Sequence, residues 1–552
     1  MAVTSRIKSL FQQNKNPQQN PHLESPNFEP KDSTPAINVA QQDEGVMEEP
    51  PQGELTFEED TQGGMGRHLG LLSTTFLIIG RIIGTGIFST PSSIVASVGS
   101  VGAALILWTV GALVAFCGLF VWLEFGCMFP RSGGEKVYLE AVYRKPKLLI
   151  TIIFSTQAVL LGFTAAGCII FAENILVAAG ATVSEWRQRG IAIGVITFVT
   201  ILHTWFPKAG VALMNVLSSG KIFILLFIVF TGFVVLGGGV KSVPDPGASF
   251  RDSFKGSVAS SGPYATAMFK VLNSYSGWNN AAYVLNEVKR PVRTLKIAGP
   301  LGLGICAVLY LLANVAYFAV ATPTEIAKSG TTVAAYFVGK VFGPVGRRIV
   351  SIFVALSALG NVLTVTFTQS RVNQELAKEG VLPWGSFWAS SWPNGAPGAG
   401  LLLHFIPSFI VIVGVPRGDA YSFILDVEGY PTSIMNTLVV VGLLLYRYLP
   451  AYKLGSPARP FKCPLAIALF FLASQVFLLV DPFIKPPNGK GDNSLPYWLY
   501  PIVGIAVLLA GVAYWFLWRV VRPWLGGFRW VERREVLVDG TVVRGWEKGR
   551  SE

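Results

Sequence analysis

The residues best suited to chemistry are Ile82–Phe88, IIGTGIF, in the middle of an apolar run from about 69 to 97. Gly84, Thr85 and Gly86 interrupt it where a membrane helix should be continuous. Each glycine weakens a helix by roughly 1 kcal/mol relative to alanine. A break there frees N–H and C=O groups, which lipid cannot satisfy. Such a stretch is tolerable only where it lines a cavity. There, N–H groups at a half-helix N-terminus attract an anion, and carbonyls at a half-helix C-terminus attract a cation. The chemistry this suits is the binding of a small zwitterion.

A counterpart is Asn273–Trp278, NSYSGW, in the run from about 264 to 285. Asn273, Ser274, Tyr275, Ser276 and Gly277 place amide, hydroxyl and glycine where a span should be uniformly apolar. Small residues of this kind also serve close helix packing. Two interrupted spans in corresponding halves point instead to a transport site.

The elements that must position these stretches are apolar runs at about 69–97, 102–126, 148–178, 190–206, 212–237, 264–285, 297–321, 345–368, 399–415, 419–446, 464–481 and 496–519. Each is near the roughly 20 residues that cross a bilayer, the ninth being short. The chain has 552 residues, of which 51% are hydrophobic and only 14% charged. Soluble domains carry roughly 25% charged residues. The expected fold class is therefore an all-α integral membrane protein of about 12 transmembrane helices. The net charge of +12 fits the positive-inside bias rather than nucleic acid, since no basic patch with interleaved aromatics occurs. Arg131, Lys136, Arg144, Lys147, Lys289, Arg290, Arg293, Arg371, Lys378, Arg447 and Arg459 fall in even-numbered loops, which favours both termini in the cytosol.

Other chemistries lack their signatures. His22, His68, His203 and His404 show no metal-ligand spacing, and no pair of cysteines lies in an outer loop. No GxxxxGK[ST] loop is present, so ATP hydrolysis is not indicated. We expect no cofactor, no metal and no enzymatic activity. Residues 1–66 are polar, with a basic start and an acidic continuation, and read as a disordered tail, either merely solvated or a docking segment. The transmembrane core would span 67–521 and a charged tail 522–552. In that tail, Glu535–Arg544 alternates around Asp539-Gly540, a two-residue hairpin signal; a disordered tail is the other reading.

Charges inside spans are functional candidates because their burial is costly. Lys221 lies in the fifth run, and the alternative for it is a lysine snorkelling to the cytosolic interface. Arg81 lies just before the first break, with Asp426, Glu428 or Glu124 as partners, in a gate latch or a structural charge pair. Glu124 is expected to pair with Arg131.

IIGTGIF, FPRSGG at Phe129–Gly134 and SGWNNAAYVLNEVKRPVRTL at Ser276–Leu295 together resemble the amino acid–polyamine–organocation superfamily, in its L-type amino acid transporter branch. Arg81 and SYSGWNN are most similar to the fungal high-affinity methionine permeases. The resemblance covers about 69–522 and implies the leucine-transporter-like inverted repeat, spans 1–5 and 6–10, plus two extra helices. It implies that the substrate carboxylate meets Gly84, Thr85 and Gly86, and that the ammonium meets carbonyls of Ile82, Ile83, Asn273 and Ser276. It implies a lysine near Lys221 standing where other members bind sodium, hence proton symport. Asn273 departs from the aromatic gate of animal members, which leaves closure to Tyr275 or another side chain. The loop at about 179–189 lacks the cysteine that joins the animal branch to a glycoprotein, so no disulfide-linked heavy chain is expected. In fungal members such N-terminal tails guide ubiquitin-dependent endocytosis, which implies ubiquitin-ligase adaptors as partners. The expected activity is import of L-amino acids, methionine foremost, across the plasma membrane. A broad amino acid or polyamine carrier and a non-transporting nutrient sensor are the rivals.

Overall fold

The computed structural model describes residues 67, 69–414, 420–449, 459–484 and 496–550. The expected tail 1–66 lies outside the described residues. Every apolar run folds as helix. In chain order these are α1 (Leu71–Ile82), α2 (Gly86–Val98), α3 (Val101–Met128), α4 (Glu135–Val142), α5 (Leu149–Leu161), α6 (Ala165–Ala178), α7 (Glu185–Trp205) and α8 (Pro207–Leu236). They continue with α9 (Ser261–Tyr275), α10 (Pro291–Val320), α11 (Val333–Lys378), α12 (Gly398–Gly414), α13 (Ala420–Tyr448), α14 (Leu465–Val480) and α15 (Leu499–Phe516). Among the described residues, nine helical stretches are long and apolar enough to cross a membrane. The runs holding α7, α9 and α12 fall outside that group; α12 is a shorter apolar helix of 17 residues.

Local sequence explains the ends. Pro207 and Pro291 open α8 and α10, where a missing N–H costs nothing. The Ser100 hydroxyl caps α3 by accepting from the Ala103 N–H at 3.3 Å. Both expected breaks are present. The first separates α1 from α2 at Ile83–Thr85. The second lies slightly later than expected: Asn273–Tyr275 form the last turn of α9, the chain unwinds at Ser276, and a 3₁₀ segment follows at Asn280–Glu287. The breaks fall in the first and sixth of the apolar runs, and the two stretches meet, with α2 packed on α9 and α1 on the 3₁₀ segment.

The third run, expected to be continuous, is also broken, between α5 and α6 at Gly162–Thr164. Remote side chains make the break tolerable. Gln369 Nε2 donates to the Ala158 carbonyl at 2.8 Å, and the Thr164 N–H donates to Ser408 Oγ at 3.2 Å. Glu124, expected to pair with Arg131, is instead taken by Arg447, whose Nε lies at 3.1 Å, and by the Cys463 N–H at 2.8 Å. Both partners of that ion pair are buried. The hairpin exists, as β1 (Phe528–Val536) and β2 (Val542–Arg550). Its loop has three residues rather than two: Leu537 pairs with Thr541, and Gly540 takes φ 82°. A lone hairpin is marginal in water, and this one is docked. Arg544 reaches Glu379 at 3.1 Å, Trp546 Nε1 donates to the Gly380 carbonyl at 3.1 Å, and Asp539 accepts from the Ser391 N–H at 2.5 Å.

Candidate functional site

The two breaks touch. A Cβ on Gly86 would lie 2.6 Å from Ser274 Oγ and 2.9 Å from the Ser274 Cα, so only glycine permits this approach. Gly277 takes φ 115°, and a Cβ there would lie 2.3 Å from Arg81 Cγ. Ser274 Oγ donates to the Lys270 carbonyl at 2.9 Å and lies 3.0 Å from Thr90 Oγ1 in α2. Ile82, Ile83, Gly84, Ser274, Tyr275 and Gly277 are buried. Thr85, Gly86, Asn273 and Ser276 are partly exposed among them. Ile87, Phe88 and Tyr275 beside them are fully covered.

The carbonyls before the first break are held one by one. Lys221 Nζ donates to Gly80 O at 2.7 Å, Asn361 Nδ2 to Arg81 O at 2.8 Å, Tyr310 OH to Ile82 O at 2.7 Å and Ser357 Oγ to Gly84 O at 3.1 Å. These donors come from α8, α10 and α11. Lys221 is fully buried, with Gly360 of α11 beside its side chain, so it does not snorkel to an interface. Behind the breaks, Trp108 packs edge-on against Tyr275 and Tyr310, each at 5.6 Å between ring centroids. Such pairs are worth about 0.5–1.5 kcal/mol beyond the area they bury. They fix the unwound stretches from the rear.

Of the partners weighed for Arg81, Glu428 is partly exposed, as Arg81 is, and among the described residues no ion pair joins the two. Asp426 is buried two residues earlier in α13, a spacing that does not share a helix face. Glu124 is engaged elsewhere. The sequence reading missed Tyr310, Asn361 and Ser357, whose roles depend on tertiary placement. It also missed Lys270, a fully buried lysine in α9 that the rule applied to Lys221 would have flagged.

The ends of α1 and α9 and the start of α2 come together within a bundle of apolar helices, an arrangement that fits a membrane transporter. The amino acid permease family profile matches residues 69–508, and the chain belongs to that family. It is 40% identical over 476 residues to the high-affinity methionine permease of Saccharomyces cerevisiae, covering 86% of this chain and 83% of the relative. It is 33% identical over 492 residues to the low-affinity methionine permease of the same yeast, covering 88% of each. It is 30% identical over 475 residues to the mouse b(0,+)-type amino acid transporter 1, covering 85% of this chain and 90% of the relative.

Proposed function

We propose that this chain is a secondary active transporter that imports L-amino acids, methionine foremost, across the plasma membrane by proton symport. The observation that carries the reading is the contact of the two breaks, at which Thr85, Gly86, Asn273 and Ser276 keep partial exposure. The Gly86 and Ile87 N–H groups at the start of α2 suit a carboxylate, with the Thr85 hydroxyl beside them, whereas the Phe88 N–H already donates to Thr85 O at 3.2 Å. The Gly84 N–H is already turned to Ile82 O at 2.8 Å, which shifts the anion toward Thr85 and Gly86. The ammonium suits the carbonyls of Ile83 and Ser276. The Asn273 carbonyl accepts one hydrogen bond, from the Ser276 N–H, and keeps a second lone pair, whereas the Ile82 carbonyl already accepts two, from Tyr310 OH at 2.7 Å and the Gly84 N–H at 2.8 Å. Arg81 and Glu428 would close over the occupied space as a latch.

The methionine permeases among the relatives support methionine as substrate. Lys221 supports proton coupling: a tethered cation in a dry site, bonded one turn before the break. The termini would both be cytosolic, with ubiquitin-ligase adaptors engaging the tail 1–66. Uptake of radiolabelled methionine into proteoliposomes, competed by the twenty amino acids, by amino acid esters and by polyamines, tests the reading. Uptake driven by an inward proton gradient, indifferent to sodium and blocked by free methionine but not its ester, is the expected result. Competition by esters or polyamines would indicate the broader carrier, and binding without uptake would indicate a sensor.

A further inference from the structure

Below the second break, the loop Phe129–Gly134 and the start of α4 are clasped to the 3₁₀ segment. The Ser132 N–H donates to Asn286 Oδ1 at 3.1 Å, and the Asn286 N–H donates back to Ser132 Oγ at 2.9 Å. The Gly134 N–H donates to the Ala282 carbonyl at 3.2 Å. A Cβ on Gly134 would lie 2.7 Å from a Tyr283 ring carbon, so the loop can come this near only with glycine there. Glu287 at the end of the segment forms an ion pair with Arg371 of α11 at 3.3 Å.

At the centre of the clasp is a buried carboxylate. Glu135 is 5% exposed. Its Oε1 accepts from Trp122 Nε1 of α3 at 2.9 Å and from Asn279 Nδ2. Asn279 Nδ2 also reaches the Tyr283 hydroxyl at 3.3 Å. A carboxylate taken from water is costly unless hydrogen bonds compensate; here neutral donors from two other elements converge on Oε1, while among the described residues the buried Oε2 accepts none. Asn279 lies two residues beyond Gly277, whose backbone belongs to the break. One side chain therefore joins three parts: the loop after the second span, the second span itself and the unwound stretch beside the substrate space.

We propose that Glu135 is a positioning residue for substrate passage, coupling the second helix break to the loop Phe129–Gly134 so that the two move as one unit. The proposal rests on the transport reading above, in which this loop faces the cytosol and must yield for release. Glu135 touches no substrate. It holds Asn279, and through Asn279 the segment whose start binds the ligand. Loss of its charge leaves a Gln side chain of the same shape but a weaker acceptor, and a charge-assisted hydrogen bond is worth about ten- to hundredfold in an equilibrium constant.

The test uses the full chain in nanodiscs and in proteoliposomes, comparing wild type, Glu135→Gln and Glu135→Asp. Hydrogen–deuterium exchange is followed at 129–134 and 279–288, with and without methionine, beside methionine affinity and uptake. For Glu135→Gln we expect amide exchange at Ser132, Gly134 and Asn286 to accelerate at least tenfold, methionine affinity to stay within about threefold, and uptake to fall by about tenfold or more. Glu135→Asp should recover part of the protection. Unchanged exchange at these amides in Glu135→Gln overturns the proposal. So does accelerated exchange with full uptake. Exchange in the methionine-free protein tests the clasp by itself. A wild type that fails to bind methionine would therefore count against the transport reading and leave the result on the clasp separate.

Discussion

The contact between Gly86 and Ser274 allows a sharp test of the proposed site. In Gly86→Ala the new Cβ would meet Ser274 Oγ at 2.6 Å, its Cβ at 2.8 Å and its backbone Cα at 2.9 Å. Contacts this short do not persist, and because one partner is backbone, α2 and α9 must part. Inserting one carbon into a packed site costs about 1–3 kcal/mol. If the same spacing holds the ligand between the breaks, that cost appears as a loss of affinity of roughly five- to 150-fold. A larger residue such as valine would add a wider clash and blur the cause. Ser274→Gly removes two of the three offending atoms. The double variant Gly86→Ala/Ser274→Gly should therefore recover affinity, with a coupling of about 1 kcal/mol or more. Ser274→Gly alone loses the contact with Thr90, so it sets its own baseline. The assay is scintillation-proximity binding of radiolabelled methionine to purified protein, with thermal unfolding measured on each variant to separate binding from folding. If Gly86→Ala binds within twofold of wild type, the ligand does not sit between these breaks. If affinity falls but Ser274→Gly restores none of it, the mechanism argued from this contact is wrong.

Three further outcomes follow from geometry described above. Lys221→Ala strands the Gly80 carbonyl in a dry site, and proton-driven accumulation of methionine should disappear while sodium remains without effect, as read by uptake against imposed gradients. Thr85→Ser keeps the hydroxyl and should lower affinity by less than about threefold, whereas Thr85→Val should cost about 1 kcal/mol or more, as titration of methionine binding would show. Glu124→Ala leaves Arg447 buried without its carboxylate. Breaking a buried pair costs about 3–5 kcal/mol, so thermal unfolding should move down by several degrees while Arg131→Ala leaves that pair intact.

Much of the architecture was legible because membrane spans are written in composition. The twelve apolar runs all appear as helix, and both unwound stretches were marked by small and hydroxyl residues out of keeping with their surroundings. The third break was not legible. Gly162 is one glycine among 58 in the chain, and what makes unwinding tolerable is Gln369 and Ser408, more than two hundred positions away. The partners of Arg81 and Glu124 were misjudged or left open for the same reason. Charge and nearness in sequence suggested Arg131 for Glu124, whereas packing of α13 against the second span brought Arg447. Lys221 stands out in the fifth run, but only its bond to Gly80 distinguishes a buried lysine from one that reaches for water. The hairpin was foreseen from alternation around Asp539-Gly540, and its loop length was set by the bulge at Gly540.

The four carbonyls from Gly80 to Gly84 that are held by side chains give the first break an unusual dependence. Lys221, Tyr310, Asn361 and Ser357 stand on three different helices, and each fixes one point of the same short backbone. Preference for one amino acid over another can therefore drift through positions that never meet the ligand. A conservative exchange at Asn361 or Tyr310 would re-aim a peptide plane, and selection for new nutrients would find such changes as readily as those in the pocket wall. Sorting paralogues by pocket-lining residues alone would then misassign them, and laboratory evolution of this chain toward a new substrate should collect substitutions on α8, α10 and α11 beside those in the pocket wall.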